Sequence, residues 1–123
     1  MTIMEAISQV DSVKQNTYKF EDKVAWLSRV DQMIKTQIID THEGSEKVTF
    51  TGYGNDTSRE TVLLAPPPFD ELYLRWLEMQ IDYARGEYQK YNNSAQMFNT
   101  AFQAYANHYN RSHMPRGQKI IYF

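Results

Sequence analysis

The sequence lacks cysteine altogether, which excludes a disulfide framework, a thiol nucleophile and a cysteine-based zinc site. It also lacks long apolar runs. No stretch approaches the ~20 residues that a helix needs to cross a bilayer, and residues 1–10 contain no signal-peptide core. We therefore expect a protein that is made and used in a reducing interior, or at least is not exported by a signal peptide, with no membrane contact.

Residues arranged for catalysis or metal binding are equally scarce. The spacing of His42, His108 and His113 does not fit the two-histidine helical motif of metalloproteases. The Gly-Tyr-Gly stretch at 52–54 lacks the third glycine and the following helix of a phosphate-binding loop, and no serine lies in a nucleophile-elbow pattern. The carboxylates lie on charged helix faces. We predict that the protein is not an enzyme and has no catalytic residues, metal or cofactor.

The length and composition favour one globular domain spanning residues 1–123. Hydrophobic residues make up 41% of the chain and aromatic residues 14%, which argues against disorder. The periodicity predicts a mainly α-helical fold of four helices, with a small β-ribbon between the second and third helices and an extended C-terminal tail.

Two helices are predicted in the first third of the chain, over Ile3–Lys14 and Phe20–Thr41. Each places apolar residues on one face at the helical period, and Gly44 is a suitable stop after the second. The segment 43–65 then changes character. Val48, Phe50 and Tyr53 alternate with polar residues before a group of turn-forming residues, which is typical of a strand. We interpret this segment as a two-stranded ribbon or an ordered loop that packs on the helices or on a neighbour.

A third helix is predicted over Phe69–Tyr91, after three prolines at 66–68 that cannot continue a helix. Its polar stripe, at spacings of three and four, includes Glu71, Arg75, Glu78 and Asp82. Gly86 interrupts this helix at a cost of up to ~1 kcal/mol relative to alanine. We therefore expect either a close approach of another helix to Gly86 or a bend in the helix there.

A fourth helix is predicted over Ser94–Arg111, and it is unusual in its charge. No Asp, Glu, Lys or Arg occurs between Tyr91 and Asn110. Such a helix is either the inner helix of the domain or a surface that a partner covers. The second possibility makes its aromatic face a predicted subunit interface, consisting of Phe98, Phe102, Tyr105 and Tyr109. Across all four helices the expected core includes Trp26, Leu27, Ile34, Trp76, Leu77, Ile81 and Phe102.

The last eight residues, 116–123, are predicted to be an extended docking tail. Pro115 ends the last helix, and the strand-forming residues at the end can add to the sheet of another chain. Packing back onto its own helices is the alternative. The predicted docking residues are Arg116, Lys119, Ile120, Ile121, Tyr122 and Phe123.

The formal charge of −2 is distributed unevenly. Glu87 is the last acidic residue, and the four basic residues beyond it give that segment +4, whereas the 9 basic and 15 acidic residues up to it give −6. A basic tail can remain solvated, meet an acidic protein surface or contact nucleic acid. Four cations without regular spacing are a weak signal for nucleic acid.

Two stretches of the sequence resemble a known family. They are DKVAWLSRVDQMIKTQIIDTHEG (Asp22–Gly44) and PPFDELYLRWLEMQIDYARGEYQKYNNSAQMFNTAFQAYANHYNRSHMP (Pro67–Pro115), followed by an aromatic terminus. Together they are similar to the head–tail connector, or adaptor, proteins of long-tailed phages and prophages of Gram-positive bacteria. The resemblance covers nearly the whole chain and is loosest over residues 43–65.

The resemblance implies a structural virion protein without catalytic residues. Its small helical subunits would form a ring, typically of twelve, beneath the portal protein, and would extend the DNA channel towards the tail completion or stopper protein. DNA would pass through without sequence-specific binding. The expected location is the head–tail junction of the virion, and the host cytoplasm during assembly. The alternative is a small prophage-encoded DNA-binding or regulatory helical protein, which would require a helix with clustered lysine and arginine.

Overall fold

The computed structural model describes residues 1–115, so the predicted docking tail at 116–123 lies outside the described residues. The described part contains four α-helices: α1 (Ile3–Val13), α2 (Phe20–Gln37), α3 (Glu71–Ala84) and α4 (Tyr88–Ser112). The prediction of a mainly helical fold with four helices is confirmed. No helix among residues 1–115 combines the length and the apolar character needed to cross a membrane.

Local hydrogen bonding defines the start of α1. The Thr2 hydroxyl accepts a hydrogen bond from the Glu5 amide at 3.1 Å, and the Glu5 carboxylate accepts one from the Thr2 amide at 3.1 Å. This capping box satisfies two amides that helix geometry leaves without a partner. α2 ends at Gln37, and the predicted last turn is instead a 3₁₀ helix over Ile39–Thr41.

The third predicted helix is interrupted. α3 ends at Ala84 and α4 begins at Tyr88, so Gly86 lies in the turn between them with a φ of +71°. A Cβ on Gly86 would meet nothing within 4 Å, so neither a close helix nor a bend inside a helix accounts for it. Glycine is favoured here because it adopts the left-handed conformation without a steric penalty. The predicted boundary was wrong because Tyr88 and Tyr91 continue the apolar spacing of α3 across the turn.

No β-ribbon forms between α2 and α3 in the described chain. Val62 makes an isolated antiparallel bridge with Thr2, and a second 3₁₀ helix covers Ser45–Lys47. The two expected strands fail to pair because each is bound elsewhere. The second contacts the N-terminus, while the Tyr53 amide of the first donates to the Ser28 hydroxyl of α2 at 3.0 Å.

α3 is the central helix and packs against α1, α2 and α4. Of the expected core residues, five are buried: Leu27, Ile34, Trp76, Leu77 and Ile81. Trp26 and Phe102 are only partly buried and lie at the edge of the core. The Trp76 indole donates a 2.7 Å hydrogen bond to the Trp26 carbonyl, which connects the two tryptophans across α2 and α3.

Candidate assembly surface

The aromatic face of α4 packs inside its own chain. The Phe98 ring lies 5.1 Å from that of Trp76, and the Tyr105 ring lies 5.7 Å from that of Phe69. Phe98, Tyr105 and Tyr109 are 3–8% exposed. His42 and His113 pack on Tyr109. Because these three rings are buried within the chain, they match the inner-helix interpretation and offer no exposed surface to a neighbouring subunit. Phe102 is the one predicted interface residue that stays partly exposed.

The opposite face of α4 is exposed and has no acidic residue, lysine or arginine from position 92 to position 110. At about 1.5 Å per residue this surface is roughly 28 Å long. Interface centres are depleted in charged residues relative to the rest of a protein surface. We call this the uncharged face; its members include Gln96, Met97, Asn99, Thr100, Gln103, Ala104 and Asn107.

An open groove of about 500 Å³ runs beside the uncharged face, between α4 and the start of α3. Met97, 45% exposed, and Ala104 contribute apolar surface to it. The charges on its α3 wall are paired within the chain, since the Arg75 guanidinium lies 2.8 Å from the Glu71 carboxylate and 3.4 Å from that of Glu78. The groove can therefore receive an uncharged partner surface without leaving an isolated charge.

A buried carboxylate fixes the position of α4. Asp82 is fully buried, and its carboxylate lies 2.5 Å from the ammonium of Lys14, which directly follows α1, and accepts a 2.7 Å hydrogen bond from the Ser94 hydroxyl of α4. The sequence placed Asp82 on a polar stripe with Glu78, whereas the structure uses it to hold three helices together.

A second buried carboxylate, Asp31, holds the loop between α2 and α3. It accepts hydrogen bonds from the Tyr53 hydroxyl, from the Tyr73 hydroxyl at 2.6 Å and from the Leu64 amide at 3.2 Å. Burial raises the pKa of the Asp31 carboxyl above its usual value, and the three hydrogen bonds oppose that rise in part. Sequence analysis missed Asp31, although its position on the apolar stripe, between Leu27 and Ile34, was a usable signal.

The tyrosines around Asp31 remain protonated donors. Burial, followed by the charge of Asp31, raises the pKa of Tyr53 and that of Tyr73 far above the usual tyrosine value. Burial also raises the pKa of Tyr105 to about 12. The hydroxyls of Tyr53 and Tyr73 therefore donate to Asp31 as neutral groups at neutral pH rather than acting as acid–base groups.

The histidines lie near the C-terminal end of α4. The buried His42 ring has Nδ1 2.6 Å from the Ile38 carbonyl and Nε2 2.7 Å from the Asn110 side-chain oxygen. His113 stacks on Tyr109 with ring centres 3.8 Å apart. His108 lies apart from this pair and stacks on Phe69. Among residues 1–115 no group of three potential ligands is placed to hold a metal ion.

The chain leaves α4 beside this histidine cluster. The Glu43 amide donates to the Met114 carbonyl at 2.8 Å, and His42 forms an antiparallel bridge with Pro115. The predicted tail therefore starts at one end of α4. At the other end, Tyr83 and Tyr88 are 59% and 64% exposed, with ring centres 6.3 Å apart.

Comparison with protein-family models, with curated proteins and with solved structures gave no match.

Proposed function

We propose that this protein is a head–tail connector subunit that assembles as a ring, typically of twelve copies, beneath a phage portal. The ring extends the DNA channel towards the tail completion or stopper protein. In this role the chain is a structural component of the virion, and it carries no catalytic residues. The proposal is supported by the sequence resemblance in the region that forms α3 and α4 and by the surface that α4 presents.

The uncharged face of α4 is the observation that carries the proposal. A ring requires each copy to cover a lateral surface of its neighbour, and burying an unpaired charge in such a contact is costly. The exposed side chains from 92 to 110 contain no Asp, Glu, Lys or Arg. The buried face of the same helix is anchored through Ser94 and Phe98, so the uncharged face is presented by a rigid element.

The two ends of α4 carry two separate candidate contact sites, as a protein that joins a portal to a tail completion or stopper protein requires. Tyr88 begins the helix and Ser112 ends it, so its 25 residues separate the exposed tyrosines from the start of the tail by roughly 37 Å. Tyrosine is enriched among residues that dominate protein interfaces. Residues 116–123 remain the predicted portal contact, with Arg116 and Lys119 facing acidic portal residues.

Assembly on a template follows from weak lateral contacts. Subunits bound to a portal have a high local concentration, so contacts too weak to close a ring in solution can close it there. We expect a monomer or a weak oligomer in the free protein and a closed ring on the portal.

Electron microscopy of the full chain mixed with a portal of the same phage tests the proposal. The expected result is an added ring of density beneath the portal, and a portal from an unrelated phage is the control. If no ring forms and the protein instead binds duplex DNA in a salt-sensitive way, the regulatory alternative replaces the proposal.

A further inference from the structure

The exposed side of α4 carries a regular stripe of side chains that are almost all amides. Every member of this stripe is exposed, and the spacing alternates between four and three residues over roughly 27 Å of helix. Contact positions in a coiled coil alternate in the same way. We call the stripe the amide seam; its members are Gln89, Asn93, Gln96, Thr100, Gln103 and Asn107. The seam ends at Asn107, because the side-chain oxygen of Asn110 is bound to the His42 ring.

The amide seam is nearly the same when it is read in either direction. Asn93 and Asn107 lie seven residues before and after Thr100. Gln96 lies four residues before Thr100, and Gln103 lies three residues after it. If two such helices pack antiparallel with Thr100 on the two-fold axis, asparagine therefore meets asparagine and glutamine meets glutamine. Each side-chain amide has donors and an acceptor, so two amides of equal length can bond to each other across the contact.

Hydrogen bonds within α4 already restrict part of the seam. The Gln103 amide donates to the Asn107 side-chain oxygen at 2.9 Å, and the Thr100 hydroxyl donates to the Gln96 carbonyl at 3.0 Å. An amide has two N–H donors and an oxygen with two lone pairs, so both amides keep groups for a further partner. Polar residues at contact positions specify the register of a helix pair at some cost in stability.

The apolar residues beside the seam fit the same arrangement. Met97 is 45% exposed and lies three residues before Thr100, while the exposed Ala104 lies four residues after it. Both line the groove between α4 and the start of α3, so they lie on the same edge of the seam. In an antiparallel pair each Met97 lies over Ala104 of the second copy, a large side chain against a small one. In a parallel pair the two Met97 side chains would meet, and like ends of the two helix dipoles would lie side by side.

The charges at the ends of the seam do not oppose an antiparallel pair. Arg111 lies eleven residues after Thr100 and Gln89 eleven residues before it, so each Arg111 faces an uncharged amide of the second copy. The Lys90 ammonium lies 3.3 Å from the Glu87 carboxylate of its own chain. The contact therefore buries no charge between Gln89 and Arg111.

We propose that two copies of the free chain pair through the amide seam, with their α4 helices antiparallel and Thr100 on the two-fold axis. A helix face of this length is about 10 Å wide, so the contact covers on the order of 300 Å² of each copy. Stable complexes bury about 800 Å² per partner. The pair is therefore weak, and it forms only at high protein concentration.

The pair and the proposed ring use the same face in different ways. In a two-fold pair a surface meets itself, whereas in a ring each copy covers a different surface of the next copy. One face cannot make both contacts at once, so a paired copy has to separate before it joins a ring. This consequence rests on the proposed function. The pair itself does not, and its tests need no portal.

Single cysteines test the pair in the full chain, which has no cysteine of its own. Thr100→Cys brings two thiols together on the axis, and a disulfide forms only between residues whose Cα atoms come within about 7 Å. Under mild oxidation at high protein concentration, Thr100→Cys should give at least about ten times more disulfide dimer than Ala25→Cys, at an exposed position of α2. Equal yields for these two variants would overturn the proposal.

A second pair of cysteine positions tests the direction of the helices. Gln96→Cys alone should give no more dimer than Ala25→Cys, because in the antiparallel pair position 96 faces position 103 of the second copy. An equimolar mixture of Gln96→Cys and Gln103→Cys should form the mixed disulfide. Efficient cross-linking of Gln96→Cys with itself would overturn the proposal, because it indicates parallel helices.

Charge substitutions give a measurement that needs no cysteine. Asn93→Asp combined with Asn107→Lys places two ion pairs across the antiparallel contact, so sedimentation equilibrium should show a dissociation constant at least about threefold lower than that of the wild type. Asn93→Lys combined with Asn107→Lys is the matched control, and it should stay monomeric because like charges meet. Both positions are exposed, so both double variants should fold. Weaker association of the first variant than of the wild type, or association of the control at wild-type strength, would overturn the proposal.

Discussion

Between positions 92 and 110 the two faces of α4 share a lack of Asp, Glu, Lys and Arg, but their surroundings are opposite. One face carries Phe98, Tyr105 and Tyr109 and is buried against α3 and its neighbours, whereas the other carries Met97, Ala104 and amide side chains and is exposed. A buried face has no charge because its own fold covers it. The fold does not require the exposed face of the same helix to lack charge. The absence of charge there is therefore the feature that suggests contact with another protein surface.

The largest effect is expected on the buried face. Phe98→Ala should lower the free energy of unfolding by about 3–5 kcal/mol, because it leaves a cavity beside Trp76. Met97→Ala, at the adjacent position on the exposed face, is the matched control and should cost under about 0.5 kcal/mol. Urea denaturation measures both, and equal losses would show that the two faces are not distinct.

The second largest loss of stability is expected on substitution of Asp82, which binds Ser94 on the buried face of α4. Asp82→Ala should cost about 2–4 kcal/mol, because it leaves the partly exposed Lys14 ammonium and the Ser94 hydroxyl without their partner. Lys90→Ala removes the exposed pair with Glu87 and should change stability by less than about 0.5 kcal/mol. If thermal unfolding of Asp82→Ala matched the wild type, the carboxylate would not hold α4 in place.

Substitution of Gly86, in the turn between α3 and α4, should lower the stability by a smaller amount. Gly86→Ala should cost about 1–2 kcal/mol, because alanine at a φ of +71° is strained. Gly54→Ala is the control, since it has neither a positive φ nor a contact within 4 Å, and it should be neutral or slightly stabilising. A gain in stability for Gly86→Ala in chemical denaturation would contradict the assigned turn.

The buried Asp31 carboxyl, unlike the uncharged face of α4, should make the stability of the protein depend on pH. Because the pKa of Asp31 is raised in the folded state, the folded protein holds this proton at a pH where the unfolded chain has lost it. The stability that this proton contributes is present below the unfolded pKa of about 3.9 and is lost as pH rises through the folded pKa. Relative to Asp31→Asn, the wild type should lose stability as pH rises from about 4, by no more than about 1.4 kcal/mol per pH unit. Parallel curves for the two proteins in urea denaturation would show that the pKa of Asp31 is not raised.

The sequence predicted the helices better than their connections and their contacts. The periodic stripes of Leu27, Ile34, Leu77 and Ile81 predicted the core, because burial of one face is what produces such a period. The break at Gly86 was missed because the apolar spacing continues across the turn. The helical periodicity of apolar residues also does not show which other helix or loop each residue packs against.

Sequence spacing also did not show which polar residues are buried or which face of α4 is exposed. Asp82 has the spacing of an exposed stripe, and only the convergence of Lys14 and Ser94 in three dimensions places it inside. For the uncharged stretch of α4 the sequence left two interpretations open, an inner helix or a surface that a partner covers, and its aromatic rings Phe98, Tyr105 and Tyr109 are buried inside the chain. Which face remains exposed depends on how α3 packs, and that is a property of the whole fold.

In the proposed ring, the uncharged face of α4 covers a neighbouring copy. Ala104→Lys and Ala25→Lys introduce the same charge at exposed helical positions, one on the uncharged face and one on α2, and each should change stability by less than about 0.5 kcal/mol. The direct measurement is the number of copies bound per portal, by native mass spectrometry or electron microscopy. We expect a full ring for Ala25→Lys and an incomplete or absent ring for Ala104→Lys. A full ring for Ala104→Lys would show that the uncharged face does not contact a neighbouring copy.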